Sequence, residues 1–231
     1  MDIARRFLGE DALSPGVFAI GGRLGYVDDG ETPNSLIVFH DYKKAPLIFE
    51  VRGLPATGEG KEMDKYRGTS VGVIVQYKNG HILCPDYDTA IAYDSAGKEL
   101  RKFTKLGSVG HYANFLKAVR SRKTADLHGK ILDGHISSAL CHTGNIAYRL
   151  GKKAAPGDIA EKIKGSKDAA DSFERLSAHL AANKLDLTTD QLTLGEFLKF
   201  DHVAEKFIGN PEADKLLTRE YRAPFVVPEK V

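Results

Sequence analysis

The sequence predicts an α+β fold in which a large, mostly antiparallel β-sheet carries helices on one face. The first half of the chain consists of short runs of β-branched and aromatic residues that alternate with turn residues. The second half repeats apolar residues at helical spacing. A chain of 231 residues can bury the core of one large domain, and we treat residues 1–231 as a single domain.

About six or seven strands are expected in this sheet. Asn79-Gly80 lies between two of them and predicts a tight hairpin, because both residues tolerate positive φ. A second turn, Asp94-Ser95-Ala96-Gly97, joins another pair of strands. The predicted strands are 16–22, 35–40, 47–52, 71–77, 81–84, 89–93 and 99–103.

The helical segments begin at the first residue. Met1 opens onto a helical pattern with no preceding strand and no capping residue, so we expect the chain to start part-way through a larger structure. Residues 152–167 are charged and are expected to form an exposed connection. Residues 193–231 are expected to form an extended tail that packs on the body or on a neighbour. The predicted helices are 2–8, 112–119, 131–150 and 169–180.

Strand 35–40 is apolar on both of its sides. If helices cover only one face of the sheet, the other face needs a second covering surface. The pattern therefore favours contact with another domain or another subunit, and we expect a homo-oligomer that forms through the sheet.

Composition argues against several classes of function. The net charge is +2 without a block of Lys and Arg, which argues against a nucleic-acid partner. No apolar run approaches the ~20 residues of a membrane span. Cys84 and Cys141 have no metal-ligand spacing and are interpreted as small buried residues.

Arg5-Arg6 is not interpreted as an export signal, because Gly9-Glu10-Asp11 follows almost at once. A cytoplasmic location is the default, and a periplasmic one stays open if an upstream signal was lost.

Two polar motifs are interpreted as turns. Gly21-Gly22-Arg23-Leu24-Gly25 is not followed by a helix, so it lacks the geometry that binds a pyrophosphate, and no cofactor site is predicted. Asp28-Asp29-Gly30-Glu31 lacks the alternating ligands and the distal glutamate of a calcium loop, so no metal site is predicted.

His128, His135 and His142 recur every seven residues. If one helix carried all three, they would lie on one side of it, with neighbours ~10 Å apart along the axis. They cannot share one metal ion, because zinc pairs on helices use spacings of three or four. Each is either a packed or capping residue or a functional one, and the spacing does not decide between these.

Glu50 and Arg52 project from the same side of strand 47–52. They are either an ion pair on a solvated sheet or part of a polar patch for hydroxyl-rich ligands, because Arg and Glu make directional hydrogen bonds to sugars. Spacing alone leaves both interpretations open.

Long segments of the chain resemble one known family. Tyr-Val-Asp-Asp-Gly-Glu-Thr-Pro-Asn at 26–34 and Phe-Glu-Val-Arg-Gly-Leu at 49–54 are similar to its sheet segments, and 111–120 and 135–151 to its two main helices. Residues 210–228 are similar to its tail. The family is the Gfo/Idh/MocA oxidoreductases, named for glucose–fructose oxidoreductase and inositol dehydrogenase. The resemblance is to their C-terminal domain and covers nearly the whole chain.

The resemblance implies a substrate-binding and oligomerisation domain of an NAD- or NADP-dependent sugar or polyol oxidoreductase. In the family, an N-terminal Rossmann domain binds the dinucleotide and supplies a catalytic lysine, and the general acid–base is a histidine three residues before the aspartate that matches Asp2. That histidine would fall upstream of Met1, and the Rossmann domain is missing. The chain alone is therefore expected to have no catalytic residue and no cofactor of its own, and to be inactive.

The resemblance makes Glu50, Arg52, His135 and His142 candidate substrate-binding residues. One departure from the family pattern is Arg6, which stands where this branch of the family is expected to have Trp. Two other functions stay open: a stand-alone structural or carbohydrate-binding module that assembles through its sheet, and an NAD-dependent relative that cleaves glycosides or eliminates groups.

Overall fold

The computed structural model describes residues 1–104 and 110–228 and confirms the α+β class with a large antiparallel sheet. The strands are β1 (Gly16–Gly22), β2 (Ser35–His40), β3 (Leu47–Arg52), β4 (Val73–Tyr77), β5 (Gly80–Cys84), β6 (Thr89–Asp94), β7 (Glu99–Thr104), β8 (Lys152–Ala154), β9 (Leu192–Leu194), β10 (Leu198–Asp201) and β11 (Lys206–Phe207). The helices are α1 (Asp2–Leu8), α2 (His111–Ser121), α3 (Ile131–Arg149), α4 (Pro156–Ile163), α5 (Lys167–Ala182) and α6 (Pro211–Lys215).

The described strands divide between two sheets. The larger sheet has the order β11-β10-β1-β2-β3, with β9 paired to β1 and β8 paired to β9. Both β9 and β10 lie along the same edge of β1, where Ile20 pairs with Leu194 and Val17 with Leu198. The smaller sheet is the meander β4-β5-β6-β7. The seven strands expected from the first half of the sequence are therefore present, but they do not form one sheet.

Helices lie on both faces of the larger sheet, rather than on one face as expected. Val17 and Val38 point into a core that contains residues of α3. Ile20 and Ile37 point to the opposite side, into a second core that contains residues of α4 and α5. The apolar side chains on both sides of β2 thus pack against helices of the same chain.

Two segments expected to be irregular contain regular structure. The charged stretch 152–167 includes β8 and α4, and α4 buries Ile159 and Ile163 against the sheet. Residues 193–215 contribute β9, β10, β11 and α6 instead of an extended tail.

The two cysteines differ in burial, since Cys84 is buried as expected but Cys141 is exposed. No helix among the described residues has the length and apolarity of a membrane span.

Close packing of α3 on β2 depends on Gly144. A Cβ atom added there would lie 2.6 Å from Val38 Cγ1, whereas one added at Gly134 of the same helix would meet nothing within 4 Å. We expect Gly144→Ala to lower the free energy of unfolding by about 1–3 kcal/mol through overpacking. Gly134→Ala should raise it by up to about 1 kcal/mol, because alanine favours helix. Urea denaturation of both variants checks this, and equal effects would contradict the close approach.

Candidate functional site

A pocket of about 310 Å³ opens where the end of β3, helix α5 and the β3–β4 connection (residues 53–72) meet. We call it the α5 pocket. Its volume is at the lower end of the range for small-molecule sites. Its lining residues are Arg52, Ala56, Asp64, Lys65, Tyr66, Arg175, Ala178, His179 and Ala182.

Two arginines and Asp64 line the polar side of the pocket, and Glu50 supports the arginines without lining it. Arg52 donates from Nη2 to Glu50 Oε2 at 2.7 Å and from Nη1 to Asp64 Oδ2 at 2.9 Å. Arg52 Nη1 also donates to the backbone carbonyl of Arg175 at 2.9 Å. Arg175 in turn pairs with Glu50. Charge-assisted bonds of this kind hold the guanidinium groups in fixed positions, so the polar wall is preorganised.

His179 is the buried titratable group of this pocket. Its side chain is 1% exposed, and neither ring nitrogen makes a hydrogen bond within the described part of the chain. Nδ1 lies 3.4 Å from Asp64 Oδ2, outside hydrogen-bond geometry. Burial lowers the pKa of His179; Asp64 opposes this shift, and Arg52 adds to it. The ring is therefore neutral at pH 7. Its one donor and one acceptor have no partner among the described residues, which is unfavourable unless a ligand or water completes the hydrogen bonds.

Contacts on both sides hold the β3–β4 connection in place. Asn183 Nδ2 donates to the carbonyl of Pro55 at 2.9 Å, at the end of α5. On the other side, the hydroxyl of Tyr66 accepts a hydrogen bond from Gln76 of β4 at 3.2 Å. The guanidinium of Arg175 lies 4.4 Å from the centre of the Tyr66 ring. These contacts position Tyr66 and its neighbours at the mouth of the pocket.

The structure divides the four candidate residues of the sequence into two places. Glu50 and Arg52 are brought together as an ion pair on the face toward α5, where Arg52 lines the pocket and Glu50 supports it. His135 and His142 belong to α3, which packs on the opposite face of the larger sheet, and both are exposed. His135 Nε2 lies 2.7 Å from Glu205 Oε1. His128 precedes α3, so the three histidines do not share a helix.

Other pocket residues were not identified from the sequence. Ser172, Arg175 and His179 have i, i+3 and i+7 spacing, which places them on one side of α5 beside its apolar stripe. That spacing was the available signal for Arg175 and His179. Asp64 and Tyr66 carried no such signal, because tertiary contacts fix the position of the connection that holds them.

The two polar turns of the sequence are linked to each other in the structure. Arg23 pairs with Asp28, and the backbone N–H of Gly30 donates to Asp28 Oδ1 at 3.0 Å. The carboxylate of Asp28 is therefore already engaged, by Arg23 and by the backbone of its own turn. Across residues 1–104 and 110–228, no three His, Cys, Asp or Glu side chains are grouped so that they could hold a metal ion.

Comparison with known proteins gives one distant likeness. No protein-family model matches the chain, and no curated protein matches it. The chain is similar to a solved structure from Thermotoga maritima that is provisionally described as an oxidoreductase, with a TM-score of 0.35 and 13% sequence identity. The match covers 84% of this chain and 43% of that one, so this chain spans less than half of the other protein. A likeness of this degree carries no argument about the site.

Proposed function

We propose that this chain is the substrate-binding domain of an NAD- or NADP-dependent sugar or polyol oxidoreductase, and that the α5 pocket binds the substrate. The observation that carries the proposal is the buried His179, whose ring nitrogens have no hydrogen-bond partner in residues 1–104 and 110–228, in a pocket that also presents Arg52, Arg175 and Asp64. Each hydroxyl group of a polyol both donates and accepts hydrogen bonds. Guanidinium, carboxylate and neutral imidazole groups side by side supply the matching acceptors and donors.

In this proposal the chain binds and orients its substrate. The dinucleotide, held by a separate domain, would accept or donate the hydride. The fixed network of Glu50, Arg52 and Arg175 keeps the donors in position before the substrate arrives, which reduces the entropy lost on binding. The small side chains of Ala56, Ala178 and Ala182 leave room for a ring or a short carbon chain.

Ala178→Leu tests the pocket by filling it. We expect wild-type protein to bind glucose or myo-inositol in ligand-observed NMR, and Ala178→Leu to weaken that binding at least tenfold by steric exclusion. Ala181→Leu is the matched control, because Ala181 lies on the exposed surface of α5 outside the pocket. If neither these probes nor their anionic derivatives bind, or if Ala178→Leu binds as well as Ala181→Leu does, the proposed function is wrong.

A second candidate function, self-association, is favoured by helix α2. Asn114 ties this helix to the segment that follows it, because its Nδ2 donates to the carbonyl of Asp126 at 2.7 Å and its Oδ1 accepts from the N–H of His128 at 3.0 Å. The apolar stripe lies on the other side of the helix and is exposed. Its residues and their exposed fractions are Tyr112 77%, Phe115 58%, Leu116 49% and Val119 39%. An amphipathic helix with its apolar face turned outward is typical of an interaction surface.

The occupant we propose is a second copy of this chain. Phe225, Val226 and Val227 form a further exposed apolar segment near the end of the described chain. Reciprocal exchange of these segments onto α2 would cover both surfaces in a closed dimer. Light scattering on a sizing column should give twice the monomer mass for wild type and the monomer mass for Phe115→Ser. A monomeric wild-type protein would contradict this candidate.

A further inference from the structure

We propose that the α5 pocket prefers a hydroxyl-rich substrate that carries one oxyanion group over its neutral counterpart. This inference rests on the proposed function, since it narrows the substrate class of the same pocket. The shared chemistry is a negatively charged group of oxygens, as in a carboxylate or a phosphate, attached to a small polyhydroxylated carbon skeleton.

The charges around the pocket are unbalanced. Three cations line it, namely Arg52, Lys65 and Arg175, against one lining carboxylate, Asp64. Glu50 lies behind the two arginines and neutralises part of their charge. Glu62 lies 3.7 Å from Lys65, but its side chain is 86% exposed, so solvent screens its charge. The residues that line the pocket therefore keep an excess of positive charge. A concave surface walled by protein concentrates such a field and attracts an anion.

Arg175 and Lys65 also keep hydrogen-bond donors that a ligand could engage. Arg175 donates from Nη2 to Ser172 Oγ at 3.0 Å and pairs with Glu50, but its buried Nε makes no hydrogen bond within the described residues. Within the described part of the chain, the ammonium of Lys65 has one ion-pair partner, the exposed Glu62 at 3.7 Å, so it can turn toward a ligand at little cost. Arg binds oxyanions with its planar fork, and Lys adds a point charge.

The pocket residues form two chemically different groups. Asp64 lies 3.4 Å from His179, and its carboxylate would repel an anion but accept hydrogen bonds from hydroxyl groups. The guanidinium of Arg175 lies 4.4 Å from the centre of the Tyr66 ring. We therefore expect the oxyanion of the substrate to bind Arg175 and its hydroxyl groups to bind Asp64 and His179.

Calorimetric titration of the full chain with glucose, glucuronate and glucose 6-phosphate tests the inference. We expect one or both anions to bind at least fivefold more tightly than glucose, with an advantage that shrinks as salt is added. The tighter anion then identifies the group as a carboxylate or a phosphate. Anions that bind less than fivefold more tightly than glucose would overturn this inference and leave the proposed function standing. Failure of all three probes to bind would overturn both.

Charge variants provide an independent check. Lys65→Gln should reduce the preference for the anion severalfold, measured as the ratio of the anion and glucose affinities of the same variant. Lys61→Gln is the matched control, because Lys61 is an exposed lysine of the same connection that does not line the pocket. Asp64→Asn should change the preference in the opposite direction, since it removes the lining negative charge. If Lys65→Gln and Lys61→Gln show the same preference as wild type, the charge argument is wrong.

Discussion

Replacing Arg5 with methionine is expected to lower the free energy of unfolding by about 3–5 kcal/mol. The Arg5 side chain is 1% exposed, and its Nη1 donates to the carbonyl of Glu10 at 2.7 Å. Its Nη2 lies 3.3 Å from both Asp2 Oδ1 and Asp133 Oδ1, and so joins α1 to α3. Methionine would fill much of the volume, but it would leave the Glu10 carbonyl and the partly buried Asp133 without their donor.

Arg6→Met is the matched control. Arg6 pairs with the same two carboxylates, but its side chain is 50% exposed, so solvent screens these interactions. We expect a loss of less than about 1 kcal/mol for this variant. Urea denaturation of both variants measures the two losses in the free energy of unfolding, and the slope of that free energy against urea concentration should stay unchanged. Equal losses at the two positions would show that burial of Arg5 does not anchor α1.

Acidification from pH 7 to pH 4 is expected to destabilise the protein through His40. The residue is fully buried, and neither ring nitrogen makes a hydrogen bond of ordinary geometry among the described residues, although the Leu140 backbone lies nearby. Burial lowers the pKa of His40 from 6.5 to about 4. Between these two values the unfolded chain binds a proton that the folded chain excludes, so stability falls as the pH falls. The loss attributable to His40 is about 3 kcal/mol at pH 4, of which about 2 kcal/mol occurs by pH 5.

The contribution of His40 to the loss of stability is obtained by comparing wild type with His40→Leu. Burial also lowers the pKa of His81 and His179, so both add losses of the same sign. His40→Leu should therefore keep a larger share of its neutral-pH stability at pH 5 than wild type does. His142→Leu, at an exposed position, controls for the loss of one histidine. Parallel stability curves for wild type and His40→Leu between pH 7 and pH 5 would contradict this assignment.

Local sequence signals predicted the first strands well, because their boundaries are themselves local. The ranges 16–22, 35–40 and 47–52 correspond to β1, β2 and β3, since each is a run of β-formers ended by Gly, Pro or polar residues. The short strands β9 and β10 had no such signal. They are extended because they pair with β1, more than 170 positions earlier in the chain, and no window of neighbouring residues contains that information.

The contrast between local and long-range information also explains which parts of the candidate site could be predicted from the sequence. Glu50 and Arg52 could be paired from the period-2 geometry of a single strand. Their partner Arg175 lies 123 residues from Arg52, and only the packing of α5 on the sheet brings the two together. The regular spacing of His135 and His142 was visible in the sequence, but it could not show that α3 packs on the opposite face of the sheet from Glu50. The missing information was which face each helix covers.

The response of individual histidine rings to ligand tests directly whether the α5 pocket binds the substrate. Two-dimensional NMR that detects the imidazole nitrogens can follow every histidine while glucose or glucuronate is added. We expect the resonances of His179 to shift until binding saturates, while those of His135 and His142 stay in place. Shifts at His135 or His142 with an unchanged His179 would contradict the assignment of substrate binding to the α5 pocket.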